Sequence, residues 1–141
     1  MQPRRTCLAL ALLPLLQPLA AQAQLPSVSA AQLLALKLDS RGVQLDFPSV
    51  ADTGASVPLQ VQIEAPAGRK IQIIEVFLPE NPSTLALKLR LIEAPARYAF
   101  GTRLRLAASQ DAWVVATLDD GTRIGAHAPT VVMSSACFDP S

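Results

Sequence analysis

The sequence predicts an all-β fold, and three observations predict it. Beyond Gly42, apolar and polar residues alternate with a period of two. Turn signals punctuate that alternation at Asp52-Thr53-Gly54, Pro66-Ala67-Gly68, Pro79-Glu80-Asn81-Pro82, Ala94-Pro95-Ala96 and Asp119-Asp120-Gly121. The last of these is an Asp-Gly pair, which suits a two-residue type I′ hairpin. Short strands at this spacing point to an immunoglobulin-like antiparallel β-sandwich of about seven strands, preceded by a short N-terminal helix.

The helix comes first. Ser27 or Ser29 caps it, Leu33, Leu34, Leu36 and Leu38 follow among Ala and Gln, and Ser40-Arg41-Gly42 closes it, so a helix over about 29–38 is expected. Val43 to Phe47 alternates and is stopped by Pro48. Val57, Leu59, Val61 and Ile63 share one face of the second strand, with Pro58 near its start, where a missing N–H does least harm. Ile71 to Leu78 is apolar on both faces, as a central strand is. Leu85, Leu87, Leu89 and Leu91 alternate with Ala86, Lys88 and Arg90. Tyr98, Phe100, Leu104 and Leu106 oppose Arg103 and Arg105. Asp111 to Leu118 carries Trp113, and Thr122 to Met133 is the last strand, with a bend expected at Pro129. Two cysteines do not flank Trp113 in the manner of antibody domains, so no inter-sheet disulfide is expected.

Ahead of the domain lies a leader. Arg4 and Arg5 open it, an apolar run from Cys7 to Ala20 follows, and Ala21-Gln22-Ala23 is a small-x-small cleavage site. Residues 1–23 therefore read as a secretory signal peptide. The run is too short and too broken by Pro14, Gln17 and Pro18 to span a bilayer, which takes about 20 apolar residues. Export to the periplasm is expected. Pro3-Arg4-Arg5-Thr6-Cys7-Leu8 partly resembles a twin-arginine signal, so both that route and the Sec route stay open. The expected organisation is a signal peptide at 1–23, a segment with the short helix at 24–42, the sandwich at 43–133 and a C-terminal arm at 134–141.

Removing the leader leaves 118 residues (141 less 23), enough for one domain with its own core. Two of the 12 basic residues go with it, leaving ten against 11 acidic and a net charge of −1. That balance offers no basic footprint for nucleic acid and no polybasic patch for a membrane surface.

The remaining cysteine is Cys137, in the tail Val132-Met133-Ser134-Ser135-Ala136-Cys137-Phe138-Asp139-Pro140-Ser141. An odd cysteine in an exported protein suggests covalent attachment or an intermolecular disulfide. No Lys, Arg or His stands within nine residues of it, whereas a thiol that catalyses alone wants an electropositive setting. Cys137 thus reads as a handle for other proteins. A Cys137–His127 nucleophile pair is the enzymatic rival; it requires the tail to fold back, since ten extended residues span about 33 Å. A metal centre needs several converging His, Cys or carboxylate ligands, and His127 is the one histidine. There is no phosphate loop, no nucleophile elbow and no nucleotide fingerprint. No catalytic residue, cofactor or metal is expected. Asp119 and Asp120 read as turn residues. Lys88-x-Arg90 and Arg103-x-Arg105 each place two cations on one strand face, either as solvated surface or as a docking face for an acidic partner or an anion.

Four segments carry a family resemblance. They are Leu45-Asp46-Phe47-Pro48-Ser49-Val50-Ala51-Asp52-Thr53-Gly54-Ala55-Ser56-Val57-Pro58; Ile74-Glu75-Val76-Phe77 leading to Glu80-Asn81-Pro82; Thr102-Arg103-Leu104-Arg105-Leu106-Ala107 with Ser109-Gln110-Asp111; and Val115-Ala116-Thr117-Leu118-Asp119-Asp120-Gly121-Thr122. In this order and spacing, Val43 to Met133 resembles SoxY, the sulfur-compound carrier of periplasmic thiosulfate oxidation. The resemblance implies an immunoglobulin-like domain paired with a SoxZ-like subunit, a role as carrier and not enzyme, and partner sulfur-oxidation enzymes that process the cargo. It also implies that Cys137, at the place of the family's arm cysteine, attaches the sulfur compound covalently. The family arm reads Gly-Gly-Cys-Gly-Gly, whereas here Ser134-Ser135-Ala136 precede the cysteine and Phe138-Asp139-Pro140-Ser141 follow it. The alternative from another class is an immunoglobulin-like binding or scaffold module whose Cys137 forms a disulfide homodimer.

Overall fold

The computed structural model describes residues 27–137. The expected signal peptide with Cys7, residues 24–26 and residues 138–141 of the expected arm lie outside the described residues.

Helix α1 spans Ala30–Ala35. Ser29 caps it reciprocally: its Oγ accepts from the Gln32 N–H at 3.2 Å, and its own N–H donates to Gln32 Oε1 at 2.8 Å. The helix is shorter than the 29–38 expected. Lys37 turns into the left-handed region at φ 47°, which ends the helix before Leu38. The turn lets Leu38 join Leu33 and Val28 against Trp113, Val115 and Phe77. This N-terminal segment is fastened at both ends. The Val28 N–H donates to Thr84 Oγ1 at 3.0 Å, and the Gly125 N–H donates to Asp39 O at 3.0 Å.

Among the described residues eight strands follow, where about seven were expected. They are β1 (Val43–Asp46), β2 (Val50–Ala51), β3 (Val57–Glu64), β4 (Ile71–Phe77), β5 (Leu85–Arg90), β6 (Arg97–Leu104), β7 (Gln110–Leu118) and β8 (Arg123–Val132). One sheet has the order β1-β3-β6 and the other β2-β8-β7-β4-β5. The extra strand arises where Pro48 breaks the first one: β1 pairs with β3 in one sheet, and the chain then crosses so that β2 pairs with β8 in the other. The β2–β8 pair is parallel, the exception among otherwise antiparallel strand pairs.

The inward faces follow the alternation. In β3, Val57, Leu59, Val61 and Ile63 are buried and their neighbours exposed. In β4 a bulge between Ile71 and Ile73 shifts the phase by one residue, so Ile71 and Ile74 both reach the core. Val114, Ala116 and Leu118 of β7, with Leu104 and Leu106, complete an aliphatic interior. Outward residues of β7 are buried too, because α1 covers Trp113 and Val115. Edge strand β5 turns Lys88 and Arg90 outward, which blunts it against pairing with another chain.

One local expectation needs correcting. The Asp119-Asp120-Gly121 hairpin is not type I′. Gly121 alone has positive φ in this turn, at 82°, its N–H donates to Leu118 O, and the Leu118 N–H donates to Thr122 O. That is a type I turn closed by a left-handed glycine. Asp120 accepts from the Thr122 N–H and lies 3.3 Å from Arg69; the Thr122 bonds and then the Arg69 charge hold its carboxyl below the ordinary carboxylate value. Pro129, in turn, sits inside an unbroken β8. The N–H groups of Gly125 and Val131 point away from β7, toward Asp39 and Ser49. Pro129 shares their phase, so its missing N–H removes no bond between β7 and β8.

Candidate functional site

The site is built where β8 runs out. The Val132 N–H donates to Ser109 Oγ at 2.8 Å, and the Met133 N–H donates to Ala51 O at 3.0 Å. Ser134 O then accepts from the Gly54 N–H at 2.7 Å, and the Ala136 N–H donates to Leu106 O at 3.1 Å. Leu106 and Gly54 are themselves joined, Leu106 N–H to Gly54 O at 2.8 Å. The tail therefore stays bonded to the body through Ala136, three residues past the expected end of the sandwich. Cys137 follows at once, unpaired and exposed.

Gly54 is buried in this junction. A Cβ there would run into the Leu106 carbonyl and sit 3.1 Å from the Ala136 nitrogen. The space a side chain would need is taken by two other backbone segments. Asn81 braces the same region from the other side. Its Nδ2 donates to Arg105 O at 2.6 Å, and its Oδ1 accepts from the Ala107 N–H and from Gln110 Nε2, both at 2.9 Å. Gln110 Oε1 in turn accepts from the Glu80 N–H at 3.0 Å. Three loops and the tail thus meet at one end of the sandwich.

His127 goes elsewhere. Its ring stacks on Trp113 with centroids 4.1 Å apart, and its Nδ1 lies 2.9 Å from Asp111 Oδ2. Among the described residues no hydrogen bond or ion pair joins it to Cys137, so the nucleophile pair is not assembled. The cation pairs stay on the exposed faces of their strands. Lys88 lies 3.6 Å from Glu75, and Arg103 donates to Ser56 Oγ at 3.3 Å. Asp119 and Asp120 are turn residues, as expected; Asp119 Oδ1 accepts from the Lys70 N–H at 3.3 Å.

Gly54, Asn81, Leu106 and Ser109 were not singled out as site residues by the sequence reading. Their signal was present, since each lies in one of the segments that carry the family resemblance. What the chain order hides is that these segments touch one another and the base of the arm.

The family model for the sulfur oxidation protein SoxY matches residues 18–137. The structure of the sulfur carrier protein SoxY from Chlorobium limicola f thiosulfatophilum superposes with a TM-score of 0.58 at 24% identity, covering 72% of this chain and 94% of that one. A superoxide reductase (neelaredoxin) from Ignicoccus hospitalis superposes with a TM-score of 0.50 at 14% identity, over 64% of this chain and 78% of its own. Both likenesses are of the fold. No curated protein sequence matches the chain.

Proposed function

The chain belongs to the SoxY family of sulfur oxidation proteins, and from that premise we propose that it is a carrier and not an enzyme, holding a sulfur compound covalently on Cys137 while partner enzymes act on it. The observation that supports this most is the placement of Cys137. It is an exposed, unpaired thiol that emerges from a junction of segments that carry the family resemblance. The described neighbourhood offers that thiol no histidine to activate it, which suits a handle loaded by others. The work takes place in the periplasm, to which the leader directs the chain, and a SoxZ-like subunit is the expected companion.

The chemistry balances simply for a small probe. The Cys137 thiolate attacks a central sulfur of tetrathionate, a Cys–S–S–SO3⁻ adduct forms, and thiosulfate leaves with the electron pair of the broken S–S bond. No other oxidant is consumed. Peptide mapping after incubation of the full chain with tetrathionate should place the adduct on Cys137, and Cys137→Ser should carry none at that position. A wild-type Cys137 that stays unmodified would remove the carrier role. Exposure of Cys137 also permits a disulfide between two copies. A reductant-sensitive dimer on non-reducing gels, with no adduct on the monomer, would favour that scaffold role instead.

A further inference from the structure

The arm expected at 134–141 does not leave the body at its first residue. Two hydrogen bonds hold the arm to the body, Gly54 N–H to Ser134 O and Ala136 N–H to Leu106 O, and a third, Leu106 N–H to Gly54 O, ties the two anchoring points together. The three bonds form a closed set of three backbone segments, and no side chain takes part. Gly54 is the residue that permits it, because any Cβ there would occupy the place of the Leu106 carbonyl and press on the Ala136 nitrogen.

We infer that Gly54 and Leu106 form a clamp on the arm, and that this clamp sets the reach of the Cys137 thiol. The inference rests on the carrier role of Cys137. In the clamped state Ala136 is the last of the described residues bonded to the body, so Cys137 stands one Cα–Cα step of about 3.8 Å from it. Release of Ser134, Ser135 and Ala136 adds three residues, or about 10 Å of further extension. The clamped thiol suits a partner whose reacting group comes to the surface of the sandwich. A recessed partner site requires the clamp to open first. Gly54 and Leu106 are on this account positioning residues: they touch no cargo, and they act by fixing where the thiol is offered.

Hydrogen exchange on the full chain tests the closed state. The Ala136 amide should exchange at least about tenfold more slowly than in a free peptide of residues 130–141. Exchange at the free-peptide rate would overturn the clamp. Its effect on reach is read from a nitroxide attached to Cys137 in a Cys7→Ser background. Gly54→Ala should sharpen the nitroxide spectrum by freeing the arm. Should Gly54→Ala not fold, Ala136→Pro supplies the same test, since it removes the donor to Leu106 and leaves Gly54 and the core untouched. Unchanged nitroxide mobility in Ala136→Pro would sink the proposal. The tetrathionate experiment separates the two readings: a protected Ala136 with an unreactive Cys137 ends the carrier role and leaves the clamp standing.

Discussion

The interior of the sandwich and the base of its arm are held by different forces. Between the sheets, Leu59, Ile71, Ile74, Val76 and Val114 are wholly buried, and the surrounding cluster is hydrocarbon. Its stability comes from area removed from water, roughly 1.5–3 kcal/mol for each large aliphatic side chain. At the arm base, where Leu106 still packs into that cluster, a set of hydrogen bonds is added. Backbone groups of Gly54, Leu106, Ser134 and Ala136 pair with one another, Asn81 pairs with Arg105, Ala107 and Gln110, and Ser109 accepts from Val132. Hydrogen bonds of this kind contribute about 0.5–1.5 kcal/mol each and depend on geometry. Hydrocarbon packing tolerates exchanges of similar volume, whereas this junction has few substitutes for a glycine or an asparagine. On the clamp proposal, the region that presents the thiol opens locally without loss of the fold.

The largest test of that contrast is Leu59→Ala. It should cost about 2–5 kcal/mol in global stability, read from the urea midpoint, through lost transfer energy and the cavity left behind. The folded fraction should still react at Cys137 at the wild-type rate. A changed Cys137 rate would mean that core and arm base are one cooperative unit. Next is Asn81→Ala, which leaves the Arg105 carbonyl and the Ala107 N–H without their Asn81 partner and Gln110 Nε2 with only the Ala108 carbonyl among its partners here. The cost should be about 1–3 kcal/mol, with hydrogen exchange quickening first at Ala107 and only with global unfolding at Val114. Equal acceleration at both amides would break the distinction. The smallest effect belongs to neither region. Asp120, at the far hairpin, has a lowered pKa because it accepts from Thr122 and faces Arg69. A lowered folded-state pKa means that its contribution is present above the unfolded pKa and is lost as pH falls through the folded one. In an NMR titration the Asp120→Asn variant should therefore differ from wild type in hairpin shifts at neutral pH and converge with it below the folded pKa, while the arm-base amides stay unmoved.

Much of the fold was legible because burial follows a period of two. The alternation in β3 and β6 maps residue for residue onto inward and outward faces. The misses were all matters of who sits next to whom. The split of the first strand into β1 and β2 depends on a parallel pairing of Val50 and Ala51 with Val131 and Val132, far along the chain. The early end of α1 depends on Leu38 finding the outer face of β7 and β8. The turn type at Gly121 depends on a choice that Asp-Gly leaves open.

The same division applies to the site. Cys137, and the pattern at residues 1–23 from which a leader is expected, were visible in one dimension, since residue identity and position are all they require. That Gly54 meets Leu106 and Ala136, that Asn81 spans two loops, and that His127 turns to Trp113 and Asp111 were decided only in three dimensions. Hydrophobic periodicity determines which way a strand faces. It carries no information on which backbone groups from distant segments will find one another, because every residue offers the same N–H and C=O and only the finished fold selects the partners.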